Sequence, residues 1–261
     1  MHSIPHKLRT VNVTRYVTPL REGGSLPALA EADDGFLYVV KFRGAGQGPK
    51  ALIAELLGGE IARLLGLKVP EIVFIHLEEA FGRTEPDEEI QDLLKASTGL
   101  NLGLHYLSTA ISYDPAVSTI DSDMATKILW LDAFIMNMDR TVRNTNMLTW
   151  NHELWLIDHG AALFFHHMGS PWDHKATQKF ELIKNHVLWN RRGDIHAMNQ
   201  LAKTVLTEDK IQSLVNLIPS EWISADLIYP SVEAQRNAYK AFFMNRLDQI
   251  IEVMEDFSYA Q

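Results

Sequence analysis

The sequence predicts an α+β fold of two lobes, a small β-rich lobe with one main helix followed by a larger, mostly helical lobe. Two observations predict it. Up to Leu77, aromatic and β-branched segments are punctuated by turn residues, with a single helical stripe among them. From Asp123 onward, most of the chain carries apolar residues at helical spacing.

Residues 11–20 and 26–31 read as two strands around Glu22-Gly23-Gly24-Ser25. The turn pair Asp34-Gly35 precedes a third strand, Phe36-Leu37-Tyr38-Val39-Val40-Lys41-Phe42. Residues 51–65 place Leu52, Leu56, Leu57, Ile61, Leu64 and Leu65 at helical spacing and stop at Gly66. Residues 70–77 then read as a strand, giving the order β-β-β-α-β. The acidic run from Glu78 to Asp92 reads, on charge patterning, as a solvated loop or insert. Residues 99–103 are expected to cross between the lobes, so 1–100 form the N-lobe and 101–261 the C-lobe. A helix is expected over 123–138, and two short strands, 147–150 and 154–157, bracket Asn151-His152. The remainder reads as helical. Apolar stripes cover 177–189, 208–217 and 232–257, with Thr207 and Ser231 as N-caps.

Composition narrows the function. The chain has 261 residues, 46% hydrophobic and 22% charged, enough for a large core of ordinary globular composition. The absence of cysteine excludes disulfides, thiolate metal sites and a Cys nucleophile, and fits a cytoplasmic location. A net charge of −9 argues against a general nucleic-acid binder but leaves room for a local basic pocket holding a nucleotide. The apolar run 128–138 is too short to span a bilayer and is interrupted by Asp132, so no membrane span is expected. The first residues lack the apolar core of a signal peptide.

The chemistry-bearing residues form a pattern. Asn137-Met138-Asp139-Arg140-Thr141-Val142-Arg143-Asn144 places an Asn five residues after an Asp, and Leu156-Ile157-Asp158-His159-Gly160 adds a second Asp after an apolar segment. This is the polar kit of a kinase-like phosphotransferase. The first Asp orients a hydroxyl and accepts its proton, while Asn and the second Asp offer hard oxygens to Mg²⁺. Asn146 is the alternative metal ligand to Asn144. Arg140 and Arg143 either hold the loop, touch phosphate or lie on the surface. Lys41, within an apolar strand, either points to solvent or is paired in a cleft. Glu55 and Glu60 on the following helix are its candidate partners. Gly23, Gly24 and Ser25 form either a plain hairpin turn or a loop that lets backbone approach phosphate. Gly44-Ala45-Gly46-Gln47-Gly48-Pro49-Lys50 fits neither a P-loop nor a dinucleotide fingerprint, since Pro49 interrupts both spacings. His159, His166, His167 and His174 contain no His-Glu-x-x-His pair, so a metal hydrolase is set aside.

Taken together, Tyr38-Val39-Val40-Lys41-Phe42, Glu55 with Gly66-Leu67-Lys68-Val69-Pro70, the Asp139 to Asn144 loop and Leu156-Ile157-Asp158-His159-Gly160 resemble the HipA-like kinases, in a compact branch holding only the kinase domain. The resemblance covers roughly residues 20–165. It implies a bilobal protein-kinase-like fold that uses ATP and Mg²⁺ to phosphorylate Ser or Thr hydroxyls. Asp139 would be the catalytic Asp, Asn144 and Asp158 the Mg²⁺ ligands, and Lys41 the ATP-phosphate contact with Glu55 as partner. Gly23, Gly24 and Ser25 would form the loop over the phosphates, and Ser25 would be the position some members phosphorylate in themselves. The acceptor would be a protein or small-molecule hydroxyl. Two alternatives stand beside it, a non-catalytic kinase-like binding module and a small-molecule or lipid kinase. The sequence departs from the pattern in three places. It has no room for the extra N-terminal subdomain of full-length HipA toxins, so neither toxin behaviour nor an antitoxin partner gains support. Asn137-Met138 stands where conventional protein kinases have His-Arg, and His159 replaces the usual Phe after the metal-binding Asp.

Overall fold

The structure is a computed structural model describing residues 7–20, 26–83, 86–169 and 171–255. The N-terminal half begins with β1 (Thr10–Pro19), β2 (Ala28–Ala32) and β3 (Leu37–Lys41), joined as antiparallel neighbours. The long helix α1 (Gly48–Leu64) follows, then β4 (Ile72–Leu77). The β-β-β-α-β order is therefore as expected. Gly66, with φ of 78°, supplies the left-handed residue that stops α1.

Three expectations for this half need correction. The acidic run is not all loop. Part of it forms a 3-10 turn (Glu79–Arg83) and α2 (Glu88–Ala96), where the Asp87 carboxylate caps the backbone N–H groups of Glu89 and Ile90. Helix α2 buries Ile90 and Leu94 against the inside of the sheet, so its charges decorate only the outer face. Residues 99–103 do not cross between lobes. They belong to β5 (Gly99–His105), which lies between β3 and β4. The expected junction at residue 100 thus falls inside a strand. The five strands close into a barrel in the order β1-β2-β3-β5-β4, sealed by a parallel pairing of Thr10, Val11 and Asn12 with Phe74, Ile75 and His76. Gly103 lets β4 approach, since a Cβ there would sit 3.0 Å from Val73 Cγ2.

Beyond the barrel come β6 (Ile111–Ser112), α3 (Ser122–Phe134), β7 (Met147–Trp150) and β8 (Glu153–Leu156), the three strands forming a small antiparallel sheet. Helix α3 stops at Phe134, four residues before the expected end at 138, because Met136 turns left-handed at φ 53° and Asn137 folds back onto Asp132. The helical part then contains α4 (Ile195–Val205), α5 (Glu208–Asn216) and α6 (Val232–Glu255). Ser231 Oγ accepts from Ala234 N at 3.0 Å as an N-cap should, whereas Thr207 occupies its cap position without a side-chain bond. The stripe over 177–189 does not form an α-helix. Its backbone is drawn into 3-10 turns (Glu181–Asn185 and Trp189–Arg191) and into pairing with the loop after Asp139, where Val187 N donates to Arg140 O and Thr141 bridges His186.

Among the described residues the core has two parts. One fills the barrel with Val11, Val13, Tyr38, Val40, Val73 and Ile75. The other runs without a break from α1 through α3 and on to α6.

Candidate active site

Strand β3 carries Lys41 at its end, and α1 carries Glu55 on the face turned toward the helical part. Lys41 Nζ donates to Glu55 Oε2 at 2.5 Å and to Asp158 Oδ1 at 2.5 Å. Glu55 is fully buried, and its Oε2 also accepts from His159 N at 2.8 Å. Burial would raise the Glu55 pKa, but the charge of Lys41 and the contact with His159 outweigh it and lower the pKa to about 2. For Lys41, burial pulls the pKa down and the Glu55 and Asp158 carboxylates more than reverse this, so it ends raised. Glu60, the competing candidate, faces elsewhere and pairs with Arg63 at 3.3 Å.

The loop after α3 carries Asp139. Its Oδ2 accepts from Asn144 Nδ2 at 2.7 Å and from Asn146 Nδ2 at 3.1 Å. Both candidate Asn residues therefore lie against the same carboxylate oxygen. Asn146 is buried and Asn144 exposed. With its amide nitrogen engaged, Asn144 presents an amide oxygen that has no partner among the described residues. Asp158 has φ of 57°, a left-handed conformation costly for a residue with a Cβ, and it presents its carboxylate to the cleft. Gly23, Gly24 and Ser25 lie outside the described residues.

Sequence reasoning missed the frame behind the loop. Arg140, whose side chain is wholly buried, donates from Nε to Asp132 Oδ2 at 2.6 Å and from its NH1 nitrogen to the carbonyl of Asn146. His186 Nε2 meets the same Asp132 oxygen at 2.8 Å, while its Nδ1 accepts from Leu188 N at 3.0 Å, so the shared proton sits on Nε2. Asp132 is buried, which would raise its pKa, yet Arg140 and His186 hold it well below the usual carboxylate range. This frame joins α3, the Asp139 loop, the segment before Asp158 and the 181–191 segment. The available signal was Asp132 itself, a lone carboxylate inside an apolar helix. Of the two arginines left open, Arg140 holds the loop and Arg143 is exposed.

A cleft of about 470 Å³ opens beside Lys41, walled by Val39, Leu104, Leu107, Leu148 and Ile157. It runs into a second, more polar cavity of about 630 Å³ lined by Tyr113, Asp114, Arg143, Asn144 and Asn146, with Leu148, Ile157 and Asp158 common to both. The first part suits a flat apolar ring system, and the second presents carboxylates and amides. His105, Tyr106 and Leu107, the stretch leaving β5, border the first part. Nothing in the sequence marked that stretch.

No curated protein matches the chain. Among solved structures, the Helicobacter pylori proinflammatory kinase CtkA is similar at 13% identity, with 95% of this chain and 98% of that one covered and a TM-score of 0.56. The Golgi casein kinase with Mn and ADP bound is similar at 14% identity over 97% of this chain and 75% of that one, with a TM-score of 0.45. The likeness to CtkA shows a protein-kinase-like fold. Residues 13–254 match the family described as HipA-like kinase, and with its β-barrel lobe, its helical lobe and the cleft beside Lys41 this chain belongs to the HipA-like kinase family, as a kinase.

Proposed function

We propose that the chain is an ATP- and Mg²⁺-dependent phosphotransferase acting on Ser or Thr hydroxyls, working in the cytoplasm. The observation that carries this reading is the bridge of Lys41 to both Glu55 and Asp158 at 2.5 Å, with Asp158 lining the same cavity as Asn144 and Asn146, whose amides hold Asp139. Lys41 would hold the ATP phosphates, and Glu55 would hold Lys41. The donor set fits Mg²⁺, since Asp158 and Asn144 supply hard carboxylate and amide oxygens. When bound, Mg²⁺ would neutralise charge on the phosphate oxygens. The apolar walls Val39, Leu104, Leu148 and Ile157 would take the base. Gly23, Gly24 and Ser25 would cover the phosphates. The division between a phosphate-binding lobe and a catalytic lobe is best drawn after His105, where β5 leaves the barrel.

Asp139 would serve the acceptor. Both Asn amides approach its Oδ2, which leaves Oδ1 to accept the hydroxyl proton. The acceptor oxygen then bonds to the γ-phosphorus as the bond to the β–γ bridging oxygen breaks, releasing ADP, and the hydroxyl proton passes to Asp139. Arg140, Asp132 and His186 keep the loop in place while this happens.

The test is thermal melting with ATP and Mg²⁺, paired with turnover, in the wild type, Asp158→Asn and Asp139→Asn. The wild type should be stabilised, by about 2.7 kcal/mol at ligand a hundredfold over Kd. Asp158→Asn should lose the Mg²⁺-dependent part of that gain. Asp139→Asn should keep it while transfer falls by roughly a hundredfold or more. Full turnover in Asp158→Asn would overturn the assignment.

A further inference from the structure

The open half of the cleft is where an acceptor would enter, and among the described residues its one Lys or Arg is Arg143. Lys41, in the other half, is already held by two carboxylates. Arg143 has no hydrogen bond or ion pair among the described residues, although Asp114 and Asp158 line the same cavity and Asp139 lies against its lining residues Asn144 and Asn146. Each of these is committed elsewhere. Asp158 takes Lys41, Asp139 takes Asn144 and Asn146, and Asp114 accepts from Ala116 N at 2.8 Å.

Arg143 is not on a loose loop. Thr141 N donates to Asn144 O at 2.9 Å, and Asn144 N donates to Thr141 Oγ1 at 3.3 Å. These bonds close a tight turn with Val142 and Arg143 at its tip, both exposed, and the Asn144 amide pins that turn to Asp139. A guanidinium one residue from Asn144 therefore stays at the mouth of the cleft with its donors unused. An aliphatic side chain stands exposed beside it in the same cavity wall, Val142 at 67%. An open mouth with an exposed aliphatic side chain beside a cation suits a chain lying across it better than a small metabolite enclosed by it. The free cation fixes the sign of that chain's charge.

We propose that Arg143 determines acceptor specificity by binding a carboxylate close to the phosphorylated hydroxyl, and that the acceptor is an acidic polypeptide segment with an aliphatic residue resting on Val142. This rests on the kinase chemistry set out under Proposed function.

The experiment compares two synthetic peptides, one with a Ser flanked by Glu and the other with Lys at the same positions, in phosphate transfer from ATP with Mg²⁺. Wild type and Arg143→Glu are assayed together, with the melting shift on ATP and Mg²⁺ followed in both. The wild type should favour the Glu peptide by about tenfold or more in kcat/KM, mainly through KM, as a charge-assisted contact would give. Arg143→Glu should reverse the preference while keeping the melting shift. Equal use of both peptides by the wild type would overturn the proposal, as would an unaltered preference in the variant. So would transfer to neither peptide while ATP is still hydrolysed. A fall in kcat with peptide KM unchanged would assign Arg143 to the phosphoryl group instead and also overturn it. Absence of both a melting shift and ATP hydrolysis in the wild type would instead mark the failure of the kinase chemistry itself, and the proposal would fall with it.

Discussion

Glu55 has no exposed surface yet keeps its charge, because Lys41 donates to one oxygen and the His159 backbone to the same one. Its other oxygen, Oε1, lies 3.6 Å from His159 Nδ1 and has no hydrogen bond. Burial favours the protonated form; Lys41 and His159 outweigh it, moving the pKa from 4.5 to about 2. The folded chain thus binds this proton more weakly than the unfolded chain. The stabilisation is complete above pH 4.5 and is lost as pH falls toward about 2. Lys41 has the opposite sign. Its raised pKa gives stability that is present below 10.5 and lost as pH rises above it. In Lys41→Met the burial effect on Glu55 would be opposed by His159 alone. Melting followed against pH should show the variant less stable at pH 7, by about 3–5 kcal/mol for a broken buried pair, with its acid-sensitive range displaced upward. An acid limb identical to that of the wild type would mean that Lys41 does not hold Glu55 ionised.

At the scale of the element, α1 decides where Glu55 sits, and two adjacent glycines decide where α1 sits. A Cβ at Gly58 would lie 2.8 Å from His159 Cβ and 3.2 Å from Ile135 Cδ1. A Cβ at Gly59 would meet Ile72 Cδ1 at 2.5 Å, the far end of a side chain that can rotate. Alanine is worth about 1 kcal/mol over glycine inside a helix. For Gly58→Ala that gain is set against a clash close to the backbone of the segment bearing Asp158, so a net loss of roughly 1–3 kcal/mol is expected, with a larger proportional loss of turnover. Gly59→Ala should be nearly neutral in melting and in turnover. Equal effects in the two variants would mean that the close approach of α1 to His159 does not position the Asp158 segment.

For the whole molecule, the notable feature is that α1 belongs to the same core as the helical lobe. Leu52, Leu56, Ile61 and their neighbours share one apolar cluster with α3, α5 and α6, apart from the barrel interior. Trp222, in a 3-10 turn after α5, seals this from the outside. It donates from Nε1 to Leu100 O at 3.0 Å and packs edge-on against Phe74, with ring centroids 5.6 Å apart. Arg43 and Glu221 add a surface pair at 2.9 Å beside it. Trp222→Ala should cost roughly 3–5 kcal/mol as a large core truncation. Calorimetry of the wild type should show a single transition, because the two lobes share buried surface. Two separated wild-type transitions would refute a common core.

The sequence by itself determined the strands up to Leu77 and the one helix among them, and it put forward Lys41, Asp139, Asn144 and Asp158 as site candidates, with Glu55 and Glu60 both able to partner Lys41. These are legible because strand and helix periodicities are local, and because fixed spacings such as Asp139 to Asn144 survive without knowledge of contacts. Tertiary structure decided the rest. It chose Glu55 over Glu60, since only a three-dimensional path from β3 to α1 shows which carboxylate Lys41 can reach. It made 99–103 a barrel strand, because the closing partner β4 lies far enough away that no local pattern announces it. It unwound the stripe over 177–189, because backbone pairing with the Asp139 loop outweighs helical periodicity there. It assembled Asp132, Arg140 and His186 from three segments, and a buried charge is stable only where its partners converge, which spacing along the chain does not encode.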